Sequence, residues 1–465
     1  MHDDSSTTLA ARLREQVTAL GPGARLPSSR ELMERHRVSP VTVSRALAML
    51  AAEGVVVTRP GSGTYVAEPH RTALREPPDF DWQSVALGDR TVDASAVRAM
   101  LTPPSGDAVQ LSGGYLHPSL QPGRALATAA ARSARRPGSW ERPPLGGLPE
   151  LRAWFAHGLG GDVSATDVLI TGGGQDAMTT VLRALLPPGA SVLVESPTYP
   201  GALAAARAAR LHPVPVPIDG KGVRPDLLAD AFAATGSRVF YCQPTFHNPT
   251  GAVLPIERRR QVLAVARAAG AFVLEDDFAR HLVIEPPPAP LVVHDDDGRV
   301  VHIASLTKGT APSLRIAAII ARGPVAERIR ATQMVDAFFP AKPLQETALE
   351  LVSSPGWPRH LKALSAALRR RRDTLGAALA RELPELAVTR PTGGAHLWAR
   401  LPPGLDDVSV AELALRDGVV VSAGRPFYPA EPPGPRLRLT YTAAATEAEL
   451  TEGVRRLAYA LSKAA

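Results

Sequence analysis

From Thr8 to about Ala67 the apolar positions fall first at helical intervals and then into two β-branched runs. Leu9, Leu13, Val17 and Leu20 form one helical stripe, which Gly21-Pro22-Gly23 stops. A second helix opens at Ser28, where Glu31 three positions on completes a capping box for the first amides. A third opens at Ser39-Pro40: serine caps, and proline at the first helical position loses no hydrogen bond. The turn between them, His36 to Val38, is short, which predicts a helix-turn-helix. Gly54 to Thr58 and Thr64 to Val66, separated by Arg59-Pro60-Gly61-Ser62-Gly63, then read as the strands and tip of a wing. A small helical subdomain carrying a surface hairpin is the other arrangement this pattern permits.

Periodicity weakens from Glu68 to about Val109, where Pro69, Pro77-Pro78 and Pro103-Pro104 stand among polar residues. Such a stretch predicts an extended, semi-rigid connector, with a short helix over Val92 to Leu101. From Val168 onward, β-branched runs alternate with alanine-rich helical segments. The predicted strands are Val168–Thr171, Ser191–Val194, Val239–Cys242, Phe272–Glu275 and Val300–Ile303. This alternation predicts an α/β domain with a mostly parallel sheet covered on both faces. Arg369 to Arg372, within a long helical stretch, reads as a solvated face.

Ligands of such sheets bind beyond the carboxyl ends of the strands, where the unusual residues of this chain collect. Gly172-Gly173-Gly174-Gln175-Asp176 makes a glycine-rich turn into a helix expected from Ala177, a setting that suits a phosphate or is simply a turn. Tyr199 offers an aromatic face for a flat ring, or else covers the sheet end. Glu275-Asp276-Asp277 places three carboxylates together, so at least one needs a cationic partner or a hydrogen-bonding task. Lys308, among Ser305, Thr307 and Thr310, is either a loop lysine or an amine whose desolvation favours the reactive neutral form.

Composition narrows the class. The 465 residues suffice for two or three folded units, and 45 prolines with 38 glycines fit many turns and a connector. The formal charge of +7 suits a nucleic-acid partner without requiring one. A lone cysteine, Cys242, excludes an intrachain disulfide and a cysteine-based zinc site; Asp295-Asp296-Asp297-Gly298 reads as a polar turn, and no metal is expected. No apolar run reaches the ~18 residues of a membrane span, and no basic-then-apolar leader opens the chain, so a soluble, cytoplasmic protein is expected.

Gly23 to Leu32, Val38 to Val43, Ala46-Leu47, Glu53-Gly54 and Gly61 to Val66 together resemble the GntR winged-helix family. The resemblance implies that Arg30 approaches a DNA phosphate and that Ser39, Pro40, Thr42, Ser44 and Arg45 lie on or beside the recognition helix. It also implies that Gly61 and Gly63 let the wing approach the minor groove. Many members carry arginine where this chain has Pro40, so one base-reading contact is expected to be missing.

From about Ser112 to the C-terminus, the strand-end motifs in their order resemble fold-type I pyridoxal-phosphate enzymes of the class I and II aminotransferase family. The resemblance implies that Lys308 carries pyridoxal 5′-phosphate as an imine, that Asp276 pairs with the ring nitrogen, and that Asn248 bonds the ring hydroxyl. Tyr199 would stack on the ring; Gly173, Gly174, Gln175, Ser305 and Arg315 would hold the phosphate; Arg438 would clamp a substrate or effector carboxylate. Two departures stand out: Phe278 occupies a position where the family usually has tyrosine, and no tyrosine appears between Trp140 and Gly147, where members lend one to the partner subunit.

The whole arrangement resembles the MocR type of regulator. The expected architecture is an N-terminal winged helix-turn-helix (8–67), a proline-rich linker (68–110) and an α/β fold-type I aminotransferase-like domain (111–465). The large part of that domain would span about 145–330 and the small part about 340–465. The implied partners are a double-stranded DNA operator, a small amino-group effector and a second copy of the chain with exchanged domains. Two alternatives stay open: an aminotransferase with an attached DNA-binding module, and a GntR regulator that no longer binds the cofactor.

Overall fold

The structure is a computed structural model and describes residues 3–68, 79–88, 93–102 and 107–464. It divides into two compact units, residues 1–90 and 91–465.

In the first unit, helices Asp3–Leu20, Ser29–His36 and Pro40–Ala52 precede a two-stranded antiparallel ribbon, Val56–Arg59 with Gly63–Val66. Leu9, Leu13, Val17, Leu32, Val43, Ala46, Leu50, Val56 and Val66 share one core. The first helix begins at Asp3, six residues before the first position of the predicted stripe at Leu9, because Ser5 to Thr8 continue the helix without adding apolar residues to the stripe. The predicted capping box is present: Ser28 N donates to Glu31 Oε2 at 2.7 Å, and Glu31 N donates to Ser28 Oγ at 3.3 Å.

The predicted extended segments at Pro69, Pro77-Pro78 and Pro103-Pro104 lie outside the described residues, as does Val92. The described parts of the connector hold two short helices, Asp81–Leu87 and Ser95–Leu101.

The second unit is built on an eight-stranded sheet. Its order is Val168–Thr171, Ala317–Ile320, Val300–Ser305, Phe272–Asp277, Val239–Cys242, Ser191–Ser196, His212–Asp219 and Gly222–Val223. The strand Ala317–Ile320 runs antiparallel to both its neighbours, and the edge strand Gly222–Val223 is also antiparallel; the remaining pairings are parallel. Alternate residues of each strand enter different cores. Ile170, Val273 and Ala304 pack with helices Pro149–Leu159, Pro225–Thr235, Ile256–Ala268 and Lys342–Val352. Leu169, Leu274 and Ile303 pack with Gly174–Leu185, Pro200–Ala208 and Pro324–Ala337. Burial on both faces is why these strands read as continuous apolar runs.

The C-terminal part carries a second, antiparallel sheet in the order Ala387–Val388, His396–Arg400, Arg436–Thr440 and Ser422–Ala423. The long helix Gly356–Glu382 and the helices Asp407–Arg416 and Glu447–Ala464 accompany it. Val109–Gln110 pairs in parallel with Val419–Val420, and Leu111 and Leu116 join the core of this part.

The expectation of a solvated face at Arg369–Arg372 is corrected: Arg371 and Arg372 are buried. Arg371 donates to the carbonyls of Ala444 and Ala445, and Arg372 to Pro391 O and Asp373. Their positive groups thus cap backbone oxygens at loop ends, a use that a run of like charges in the sequence does not reveal.

Candidate functional site

All five predicted strands end on the same edge of the sheet, and one cavity opens there. Its lining includes Gly174, Gln175, Tyr199, Asn248, Asp276, Phe278, Ser305, Lys308, Arg315 and Arg438, so the fold brings together residues more than 260 positions apart in sequence. Gly173 adjoins it through Arg315.

Lys308 Nζ donates to the carbonyl of Gly114 at 2.6 Å and lies 3.8 Å from the centroid of the Tyr115 ring. Desolvation, followed by the positive charge of Arg438, brings its pKa down from 10.5 to about 7. A large fraction of this amine is therefore neutral and nucleophilic at neutral pH.

The three adjacent carboxylates are resolved separately. Asp276 Oδ2 accepts from Tyr241 Oη at 2.7 Å and from Gln243 Nε2 at 2.8 Å. Burial raises its pKa against the pull of these two donors. Glu275 faces the other way, accepting from Leu291 N and Val292 N, beside His302 at 2.8 Å and Arg259 at 3.6 Å. Burial opposes its charge, but His302 and Arg259 hold it below the ordinary carboxylate range. Asp277 pairs with Arg280 at 3.2 Å. Asp276 is thus the member of the trio left to face the cavity.

Helix Gly174–Leu185 starts three residues earlier than predicted and has no side-chain cap, so its first amides, at Gly174 and Gln175, are available at the cavity edge. Gly173 has φ +110°, and a Cβ there would stand 2.4 Å from Arg315 Nη2; only glycine lets this guanidinium lie over the turn. Thr307 Oγ1, which also borders the cavity, is buried without a partner. Tyr199 Oη donates to Gln175 Oε1 at 3.2 Å, fixing the aromatic at the same corner.

Arg438 is buried and braced: it donates to Asn248 Oδ1 at 3.1 Å, Ser112 O at 2.5 Å and Ser422 Oγ at 3.3 Å, over the Phe427 ring. Burial lowers its pKa to about 10, which leaves it charged at neutral pH. Sequence reasoning missed Tyr115, Tyr241, Gln243 and His396. Tyr241 lies in the predicted strand Val239–Cys242 and Gln243 directly after it, but neither carries a motif of its own, and His396 comes from the C-terminal sheet. His396 is held neutral by burial and by Arg438 and Lys308, with Nδ1 unpartnered.

In the first unit the recognition-helix residues stand at one end. Ser39 Oγ caps Thr42 N at 3.2 Å and also meets Thr42 Oγ1 at 2.9 Å. Pro40, Ser44 and Arg45 are exposed, as is Val41 beside them, an apolar side chain that motif reasoning passed over. Arg30 is exposed and pairs loosely with Glu34 at 3.4 Å. Gly61 and Gly63 both have positive φ, and Arg59 lies over the Tyr65 ring in the wing.

A winged helix-turn-helix joined to an α/β unit with a free amine, an arginine-covered helix N-terminus and a braced second arginine in one cavity defines a DNA-binding protein with a cofactor-type pocket. Residues 111–457 match aminotransferase class I and II and residues 5–66 match the bacterial regulatory proteins of the gntR family, so the chain belongs to the class I and II aminotransferase family, fused to a GntR DNA-binding domain. It is 30% identical to the HTH-type transcriptional regulator TauR of Rhodobacter capsulatus, over 98% of this chain and 96% of that one. It is 29% identical to the HTH-type transcriptional regulator YdfD of Bacillus subtilis, over 93% and 90%. Among solved structures it resembles LysN, the α-aminoadipate aminotransferase of Thermus thermophilus complexed with N-(5′-phosphopyridoxyl)-L-leucine. That likeness has 30% identity and a TM-score of 0.75, covering 80% of this chain and 95% of LysN. No described helix is long and apolar enough to cross a membrane.

The residues present fit the cofactor expected from the family, pyridoxal 5′-phosphate. The Gly173 cradle under Arg315, the open amides at Gly174 and Gln175 and the unpartnered Thr307 hydroxyl suit a phosphate. An amine at Lys308 and a carboxylate at Asp276 face the same cavity.

Proposed function

We propose that this chain is a transcription regulator whose winged helix binds operator DNA and whose affinity is set by pyridoxal phosphate and a small amino-group effector meeting at Lys308. When bound, pyridoxal phosphate supplies an aldehyde that captures primary amines. The observation that carries the reading is the convergence of the Lys308 amine, Asp276 and Arg438 on one cavity of a chain that also holds a DNA reader.

In this reading Lys308 provides the neutral amine that holds the cofactor, with Gly114 O and the Tyr115 face fixing its direction. Asp276, anchored through Oδ2, uses its other oxygen to hold a proton on the ring nitrogen. Asn248 turns toward the ring hydroxyl while its Oδ1 steadies Arg438, which orients an effector carboxylate. Gly173, Gly174, Gln175, Ser305 and Arg315 hold the phosphate, and Tyr199 stacks on the ring. Phe278 has no hydroxyl to offer, so the ring oxygen depends on Asn248 alone. In the DNA reader, Arg30 and Arg45 contact phosphates, and Ser39, Pro40, Thr42 and Ser44 face the major groove. Gly61 and Gly63 bring the wing backbone to the minor groove. The domain bounds of 8–67, 68–110 and 111–465 follow these roles.

The working unit is a homodimer with exchanged domains. Supporting the pairing of two copies, the second unit exposes Trp140, Val335 and Phe338, at 78, 81 and 70%. A gel shift against the protein's own upstream DNA, with and without pyridoxal phosphate and candidate amines, tests the function: operator affinity is expected to change at least fivefold on effector binding. Identical shifts under every condition refute it. A second reading, turnover as an aminotransferase, is favoured by the intact set of Lys308, Asp276 and Arg438. Sustained exchange between an amino acid and a keto acid at enzyme-like rates would establish it.

A further inference from the structure

Among the described residues, three lysine or arginine side chains line the cavity, and the proposed function gives each a task. Arg315 lies over the Gly173 turn, Lys308 is the amine, and Arg438 is braced for one carboxylate. The one carboxylate in the lining, Asp276, is already tied to Tyr241 and Gln243. A second charge on an effector would therefore enter the enclosure with no described counter-ion, and an unpaired charge in such surroundings is strongly disfavoured.

The rest of the lining is uncharged, a mixture of polar groups such as Gln175, Gln243, Thr307 and the neutral His396 with apolar ones such as Met178 and Phe278, and part of the apolar share comes from an unexpected place. Met100 and Leu101 reach the cavity from the last turn of helix Ser95–Leu101, which packs against helix Pro200–Ala208 directly after Tyr199. Leu101 is 57% exposed, so its apolar surface is largely uncovered within this unit. That helix lies in the stretch of chain that leads back to the winged helix.

We infer that the effector is an α-amino acid with an uncharged, apolar side chain, and that Met100 and Leu101 form the surface that reads this side chain. The inference rests on the reading of Lys308 as the cofactor lysine and of Arg438 as the carboxylate clamp. It adds that the connector itself touches the ligand, so that occupancy of the cavity bears on the segment carrying the DNA reader.

The test uses the full chain loaded with pyridoxal phosphate and titrated with L-leucine, L-methionine, L-glutamate and L-lysine, following the visible absorption band. Leucine and methionine are expected to saturate at concentrations at least tenfold lower than glutamate or lysine, and M100E or L101E to raise the leucine midpoint about tenfold. M100Q, close to methionine in volume, serves if a glutamate variant fails to fold and is expected to move the midpoint in the same direction. Glutamate or lysine binding as tightly as leucine, or midpoints unmoved in the variants, overturns the inference. Absence of an imine band from the protein once unbound cofactor has been removed overturns the reading of Lys308 itself, a distinct outcome visible before any amino acid is added.

Discussion

At the scale of single residues, the decisive quantity is the protonation of Lys308. Its pKa of about 7 arises from desolvation and from Arg438, and only the unprotonated amine attacks an aldehyde. The observed rate of pyridoxal phosphate capture should therefore rise about tenfold per pH unit below 7 and level off above it, in stopped-flow absorbance measurements. The linkage has a definite sign. A lysine whose folded pKa lies below its unfolded value binds fewer protons when folded, so stability rises with pH between about 7 and 10.5. In the cofactor-free protein the Tm should climb across that window, and Lys308→Met should remove that contribution to the slope. Lys308 and Asp276 were legible in the sequence because each sits in a strand-end segment with recognisable neighbours, whereas Arg438, inside the strand Arg436–Thr440, was legible only through the family resemblance. Tyr241 and Gln243 were not, because their role depends on the adjacent strand bringing Asp276 within hydrogen-bond reach of both, and the register between Val239–Cys242 and Phe272–Asp277, with Tyr241 across from Leu274, is a property of the sheet.

Among elements, helix N-termini do much of the site's work, and two of them make contrasting predictions. At the Gly173 turn, Ala would place a methyl 2.4 Å from Arg315 Nη2 and in a strained positive-φ conformation. Gly173→Ala should weaken cofactor binding at least tenfold in equilibrium titration; undiminished affinity would mean that the guanidinium is not held there for the phosphate. At the recognition helix, Ser39 caps Thr42 N, so Ser39→Ala should cost about 1 kcal/mol of winged-helix stability, read by denaturant unfolding. Strand prediction shows where sequence pattern falls short. His212–Asp219 contains Pro213, Pro215 and Pro217, which argue against a strand, yet it pairs with Ser191–Ser196 over six residues. Spaced two apart, the prolines put their missing N–H groups on one side of the strand, leaving the other side free to pair. Likewise Ala317–Ile320 opens on two alanines, residues of low strand preference, directly after the Arg315 segment and does not stand out as a strand, although it separates Val168–Thr171 from Val300–Ser305.

For the whole molecule, the question is how a ligand in one unit can matter to DNA held by another, and a dimer supplies the most direct answer. A winged helix with few base-reading groups binds weakly as a single copy, whereas two linked copies convert the second contact into an intramolecular event. Operator affinity then depends on whether the dimer sets the spacing of its two readers, and an effector need shift that balance by only ~1–3 kcal/mol to change occupancy markedly. Trp140, Val335 and Phe338 are large apolar side chains left exposed on the second unit, which a second copy of the chain would cover in the proposed dimer. Replacing Trp140 and Phe338 by aspartate should leave the folded second unit intact, since both side chains are exposed, but should turn a sedimenting dimer into a monomer. The same variant should lose at least tenfold in operator affinity and show a shallower dependence on salt, because fewer phosphates are neutralised per bound particle. A monomeric variant that bound its operator as tightly as the parent, with the same salt slope, would place the communication within one chain, along the connector that carries Met100 and Leu101 to the cavity.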